Sequence, residues 1–80
     1  MRVPRLLLFG PAREAAGVSS VTLPGHDVAA VISAAGAKFG PQFAHIVTIS
    51  NIWLNGDAVE PDAPVGDDDE VAVIPPVSGG

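Results

Sequence analysis

The last seven residues, Ile74-Pro75-Pro76-Val77-Ser78-Gly79-Gly80, offer the plainest chemistry in this sequence. An α-carboxylate on Gly80 is ionised at neutral pH and is a poor electrophile. Activation with ATP by a partner converts such a group to an acyl-adenylate, and attack by a sulfur donor then leaves a thiocarboxylate. The chain contains no cysteine, so no internal thiol competes with that sulfur, and disulfides and thiolate metal sites are excluded. Pro75-Pro76 favours a stiff, extended exit from the preceding strand. Gly79-Gly80 has no Cβ to obstruct a narrow channel. Six extended residues reach about 20 Å, far enough to enter another protein's active site. Two glycines at a given pair of positions arise by chance in only about 0.5% of chains, so the ending carries information.

Other residues that could do chemistry read more plainly as structure. Asp67-Asp68-Asp69-Glu70 has the donor types of a cation site, but consecutive carboxylates before a strand are usually a solvated turn, with a second role in steering basic partners. His26 and His45 have no neighbouring ligands at metal spacing and read as ordinary surface or helix-edge histidines. Arg13-Glu14 reads as a local structural pair rather than an acid and a base. No metal site is expected.

Eighty residues fit one domain, which at this size buries only roughly 60 to 65% of its unfolded surface. A deep internal catalytic cavity is therefore not expected. At 48% hydrophobic residues the chain is apolar enough to fold and apolar enough to need partners. Nine acidic against four basic residues give a net charge of −5, which disfavours nucleic acid and anionic membrane as partners. The opening run Leu6-Leu7-Leu8-Phe9 is too short for a secretory signal or a membrane span, and a cytoplasmic location is expected.

The elements that position the tail follow from patterning. Residues 3–9 form an apolar run ended by Gly10-Pro11, read as a strand buried on both faces. Residues 12–17 predict a helical turn at most. Residues 18–23 close at Pro24-Gly25 and predict a second strand in a long-looped hairpin with the first. Asp27 is placed to cap a helix, and Val28, Val31, Ile32, Ala35 and Phe39 make one apolar stripe that ends at Gly40-Pro41. Gly36 costs that helix up to about 1 kcal/mol relative to alanine, so the helix depends on packing. Residues 41–51 give no clear pattern. Asn55-Gly56 between apolar flanks predicts a two-residue hairpin turn with Trp53 opposite Ala58 and Leu54 opposite Asp57. A polar loop then leads to a last apolar strand over residues 70–75. The order strand, strand, helix, strand, strand, strand, with the last strand beside the first, predicts an α+β fold: a mixed sheet with one main helix across one face, the β-grasp arrangement of ubiquitin-like proteins. The boundaries are 1–75 for this domain and 76–80 for a flexible tail.

One helix leaves the other face of the sheet uncovered. Alternation assigns Ile52, Leu54 and Val59 to the helix side and turns Trp53 and Ala58 away; it likewise separates Leu7 and Phe9 from Leu6 and Leu8, and Ala72 and Ile74 from Val71 and Val73. Phe9, Trp53, Ala58 and Ile74 are then expected to form a hydrophobic docking patch beside the root of the tail.

Three segments together resemble a known family: Leu8–Glu14 with Phe9, Arg13 and Glu14 matching, the Asn55 hairpin followed by Val59, and Asp69–Gly80. The chain is similar to the small, sulfur-carrying subunit of molybdopterin synthase, a ubiquitin-like sulfur carrier. The resemblance implies that an adenylating enzyme related to ubiquitin-activating enzymes spends ATP on Gly80, that a sulfur donor protein converts it to a thiocarboxylate, and that the tail enters the large subunit. There sulfur passes to a cyclic pyranopterin monophosphate to build the dithiolene of the molybdenum cofactor. Gly80 would carry the sulfur and Gly79 would permit passage. Phe9 and Ile74 match family positions at the partner interface, where Trp53, Ala58, Pro75 and the tail residues Pro76, Val77 and Ser78 would add contacts. The implied assembly is a heterotetramer of two small and two large subunits, the small one not catalytic alone and binding no cofactor itself. The sequence departs from the family at Asp68, which replaces a usual glycine, and at Trp53, which replaces a commonly small residue. Carriers for thiamine, cysteine or tRNA thiolation, a ubiquitin-like protein modifier, and a plain interaction module are the competing readings.

Overall fold

The computed structural model describes residues 3–76. In chain order the elements are β1 (Arg5–Leu8), α1 (Gly10–Ala16), β2 (Ser20–Thr22), α2 (Val28–Phe39), α3 (Pro41–Thr48), β3 (Asn51–Leu54), β4 (Asp57–Ala58) and β5 (Glu70–Ile74). The five strands form one sheet in the order β2-β1-β5-β3-β4. The central pair, β1 and β5, is parallel, with Leu6 beside Val71 and Leu8 beside Val73; every other pairing is antiparallel. This is the β-grasp arrangement expected from the order of the elements.

The helical layer is larger than one helix. Residues 10–16 make two turns rather than a single one, entered through Pro11 and closed by Gly17 at φ 78°, whose N–H donates to the Arg13 carbonyl at 2.8 Å. Residues 41–48, illegible as sequence, form α3. Both helices begin with Gly-Pro, a pair read as a stop signal. Proline also suits a helix's first turn, where its missing N–H would have had no partner. Gly40 serves both functions: it closes α2, donating its N–H to the Gly36 carbonyl at 2.9 Å, and it precedes α3 at φ 99°, ψ −179°, a region essentially reserved for glycine.

The helix α2 forms as its sequence dictates. The Asp27 carboxylate accepts from the Ala30 N–H at 2.8 Å, and the other first-turn donors are also placed. The Val28 and Ala29 N–H groups reach the carbonyls of Ala63 and Pro61 at 3.0 and 2.8 Å. A loop that reads as merely polar thus caps a helix, and its Val65 is buried in the core.

The core lies between the helices and one face of the sheet. Leu6, Leu8, Val71 and Val73 line the sheet side, and Val28, Val31 and Ala35 of α2, Phe43 of α3 and Ala12 of α1 close it from above. The ring of Phe43 meets that of Phe39 at 5.1 Å between centroids, tilted by 57°. Contrary to the expectation from their continuous apolar runs, β1 and β5 are covered on one face only. Leu6, Leu8, Val71 and Val73 are buried, whereas their alternates Leu7, Ala72 and Ile74 are half-buried.

Candidate docking face

Strand alternation and register build the uncovered face residue by residue. Leu7 lies beside Ser20 on β2 and beside Ala72 on β5; Ala72 lies beside Trp53 on β3, and Trp53 beside Ala58 on β4. These five residues therefore form one row across the whole sheet, on the side away from the helices. Two residues further along β5 comes Ile74, paired with Asn51. Phe9 follows Leu8 in extended backbone (φ −129°, ψ 151°), so it continues the alternation onto the same side at the level of Ile74. Phe9 is 47% exposed and Trp53 37%. With half-buried Leu7, Ala72 and Ile74 between them, these two rings make the face a contiguous apolar patch, the kind of surface that is a candidate for docking.

All four residues expected on this face, Phe9, Trp53, Ala58 and Ile74, are placed there. Leu7 and Ala72 complete the patch between them and were not singled out from sequence, although the same alternation that selects Phe9 and Ile74 selects them. The opposite border is polar. The Arg5 guanidinium and the Glu70 carboxylate meet at 3.1 Å beside Thr22, both well exposed, a pairing that adds little stability but bounds the apolar area with charge.

The face leads to the tail. β5 ends at Ile74, Pro75 is buried, and Pro76 is exposed. Pro75 is thus packed at the end of β5, and Pro76 is the first exposed residue beyond it. The remaining expected site residues, Val77, Ser78, Gly79 and Gly80, lie outside the described residues.

The acidic run before β5 holds the turn that aims the strand. The Asp69 carboxylate accepts from the Gly66 N–H at 2.7 Å and from the Asn55 side-chain amide at 3.0 Å, while the Asn55 side-chain oxygen accepts from the Glu70 N–H at 2.9 Å. Asp67 accepts from the Val3 N–H at 2.8 Å. Asn55 also takes the left-handed conformation the hairpin turn demands, at φ 51°. It is the one non-glycine among the described residues with positive φ, so Asp68 sits in ordinary backbone where the resembled family has glycine. Among the described residues no ion pair joins Arg13 to Glu14, against the expectation of a local pair; both are exposed on α1. No helix among the described residues is long and apolar enough to cross a membrane.

Comparison with known proteins places this geometry. Residues 6–80 match the ThiS family. The chain belongs to the ThiS family. Solved structures agree with the assignment over almost the entire length. Small archaeal modifier protein 1 from Methanosarcina acetivorans is 28% identical, with a TM-score of 0.89 over 100% of this chain and 98% of that one. A Pyrococcus furiosus protein assigned as molybdopterin converting factor, subunit 1, is 27% identical, with a TM-score of 0.83 over 96% of this chain and 100% of the other. Subunits 1 and 2 of the molybdopterin-converting factor from Helicobacter pylori form a complex in which one chain shares the fold, with 20% identity and a TM-score of 0.72 over 98% of this chain and 99% of that one. As a ThiS-family member, the chain is a small β-grasp protein of the sulfur-carrier and ubiquitin-like modifier type.

Proposed function

We propose that this ThiS-family chain is a sulfur carrier and the small subunit of a molybdopterin synthase. The observation that carries the reading is the apolar row Leu7, Ala72, Trp53 and Ala58, with Phe9 and Ile74 above it, lying at the root of a segment that runs to Gly79-Gly80. The face docks a larger protein, and the four residues beyond Pro76, at most about 13 Å when extended, deliver Gly80 into it.

The chemistry balances without any group on this chain but the terminal carboxylate. A carboxylate oxygen of Gly80 attacks the α-phosphorus of ATP in an activating enzyme, and pyrophosphate leaves. Hydrosulfide supplied by a donor protein then attacks the acyl carbon, its proton passes to solvent, and AMP departs with the electron pair of the broken C–O bond. The resulting thiocarboxylate is the nucleophile that a cyclic pyranopterin monophosphate would meet in the large subunit. ATP is consumed by the activating enzyme and is not held by this chain. The active site belongs mainly to the large subunit, in a heterotetramer of two small and two large subunits; the likeness to a molybdopterin converting factor subunit 1 supports a partner subunit in general.

A second reading, protein modification through an isopeptide bond, is favoured by the likeness to small archaeal modifier protein 1. Incubating the full chain with an activating enzyme, ATP and sulfide, and then weighing it, separates the two. Replacement of one terminal oxygen by sulfur, followed by dithiolene formation when the large subunit and the pterin are added, is the expected result. Higher-mass conjugates to lysine with no sulfur exchange would replace the carrier reading with the modifier reading.

A further inference from the structure

A groove of about 680 Å³ runs on the helix side of the sheet, between α2 and the β3–β4 hairpin. Its walls include Ile32, Val47, Ile52 and Val59, with Trp53 and Ala58 at the lip. It borders the docking face at Trp53 and Ala58 but opens on the helix side, where Ile52 and Val59 pack against the core, and its volume falls within the roughly 300 to 1,000 Å³ of ordinary binding pockets. We propose that this groove is a second docking site, which takes an amphipathic helix of another protein bearing an apolar face flanked by lysine or arginine.

Charge selects the flanks. No lining residue is charged. The charged residues next to lining residues in the chain are Asp27, beside Val28, and Asp57, Glu60 and Asp62, which bracket Ala58, Val59 and Pro61, and all four are acidic. The described lysine and arginine side chains are elsewhere: Arg5 is paired with Glu70 on the docking face, Arg13 is on α1, and Lys38 lies against Phe39 near the far end of α2, about 15 Å along the helix from Val28; His26 lies near the groove, its Nε2 3.7 Å from the Asp27 carboxylate. Asp27 is engaged with the Ala30 N–H and His26, so Asp57, Glu60 and Asp62, which bracket the hairpin side of the trough, are the charges that favour basic flanks and reject acidic ones.

Geometry selects the helix over an added strand. β4 is the outermost strand but has only two residues, and Pro61, three positions further on, has no N–H for a ladder. The trough instead has α2 as one wall, and its exposed Ala29 and Ser33, one turn apart, leave room for a second helix to lie close.

The probe is a synthetic amphipathic peptide with leucines at i, i+3, i+4 and i+7 and lysines elsewhere, titrated into the full chain beside a twin carrying glutamates for lysines. Amide chemical shifts both report occupancy and locate the peptide. The expected result is saturable binding of the lysine peptide, at least about tenfold tighter than its twin, with shifts at Ala29, Ser33 and Val59. Ser33→Arg, at an exposed helical position, should abolish binding; Phe9→Glu on the docking face should not; and Asp57→Asn, Glu60→Gln and Asp62→Asn together should erase the preference. Equal affinity for the two peptides, no binding, shifts confined to Leu7, Ala72 and Ile74, or occupation of the groove by a second copy of the chain would each overturn the proposal.

Discussion

Alanine at Gly36 and alanine at Gly25 are the same chemical change, and the structure assigns them opposite signs. A Cβ built on Gly36 meets the Cβ of Ala44, where α2 crosses α3, at 3.6 Å, an ordinary contact. Nothing is displaced, so the substitution removes the conformational cost of a helix-interior glycine, about 0.5 to 1 kcal/mol. A Cβ on Gly25 lies 2.7 Å from a methyl of Val31 and 2.9 Å from its backbone nitrogen. The methyl can turn aside, but the nitrogen is fixed in the first turns of α2, so the chain entering the helix must move, at a cost of about 1 to 3 kcal/mol. For 80 residues the total stability is about 4 to 12 kcal/mol, so neither change is small. Each kcal/mol corresponds to about 4 to 8 °C in Tm for a domain of this size. Thermal melts followed by circular dichroism should therefore show Gly36→Ala raised by several degrees and Gly25→Ala lowered by at least about 4 °C. The two sites share no neighbour, so the double variant should fall within about 0.5 kcal/mol of the sum. A loss of stability in Gly36→Ala would refute the reasoning, because it would mean that the two helices approach more closely than a methyl group allows.

Phe43→Ala, at a fully buried position between α3 and the sheet, should cost about 3 to 5 kcal/mol by urea titration, a large part of the whole. Asn55→Gly should lose about 1 kcal/mol with the two side-chain hydrogen bonds that hold β5, and Asn55→Ala about 1 to 2 kcal/mol more, because it also bears the left-handed strain; equal losses would show that the turn geometry is not the constraint. Phe9→Glu should leave the melting temperature nearly unchanged while weakening calorimetric binding to a large subunit by at least about tenfold, as for a desolvated aromatic anchor. A bulky residue appended after Gly80 should stop thiocarboxylate formation, checked by mass; undiminished sulfur exchange without trimming would remove the terminal group from the mechanism.

The elements legible in the sequence were those with a single interpretation. Asp27 ahead of a 3.6-residue stripe could only begin a helix, and Asn55-Gly56 fixed the pairing of Trp53 with Ala58. What stayed hidden depended on signals with two meanings. Gly-Pro ends one helix and begins another, so the pattern shows α1 as a single turn and hides the inward stripe of α3, fully buried Phe43 with half-buried Ile46 and Val47. Continuous apolar runs in β1 and β5 look the same whether both faces are packed within the chain or one awaits a partner. The uncovered apolar face follows from alternation alone, and register extends it to Leu7 and Ala72. The groove was invisible because its walls come from α2, α3 and the hairpin, which only tertiary packing brings together.

Because β1 and β5 run side by side in the same direction, the backbone enters the sheet at Arg5 next to Glu70 and leaves it at Ile74, about 13 Å away along the strand. Cargo attached upstream of Arg5, whether an affinity handle, a fluorophore or a whole fused domain, would hang from the rim where the carboxylates cluster. Pro76, past the opposite end of the strand, would stay clear, so such fusions should be usable to follow the protein without covering Ile74 or Pro76.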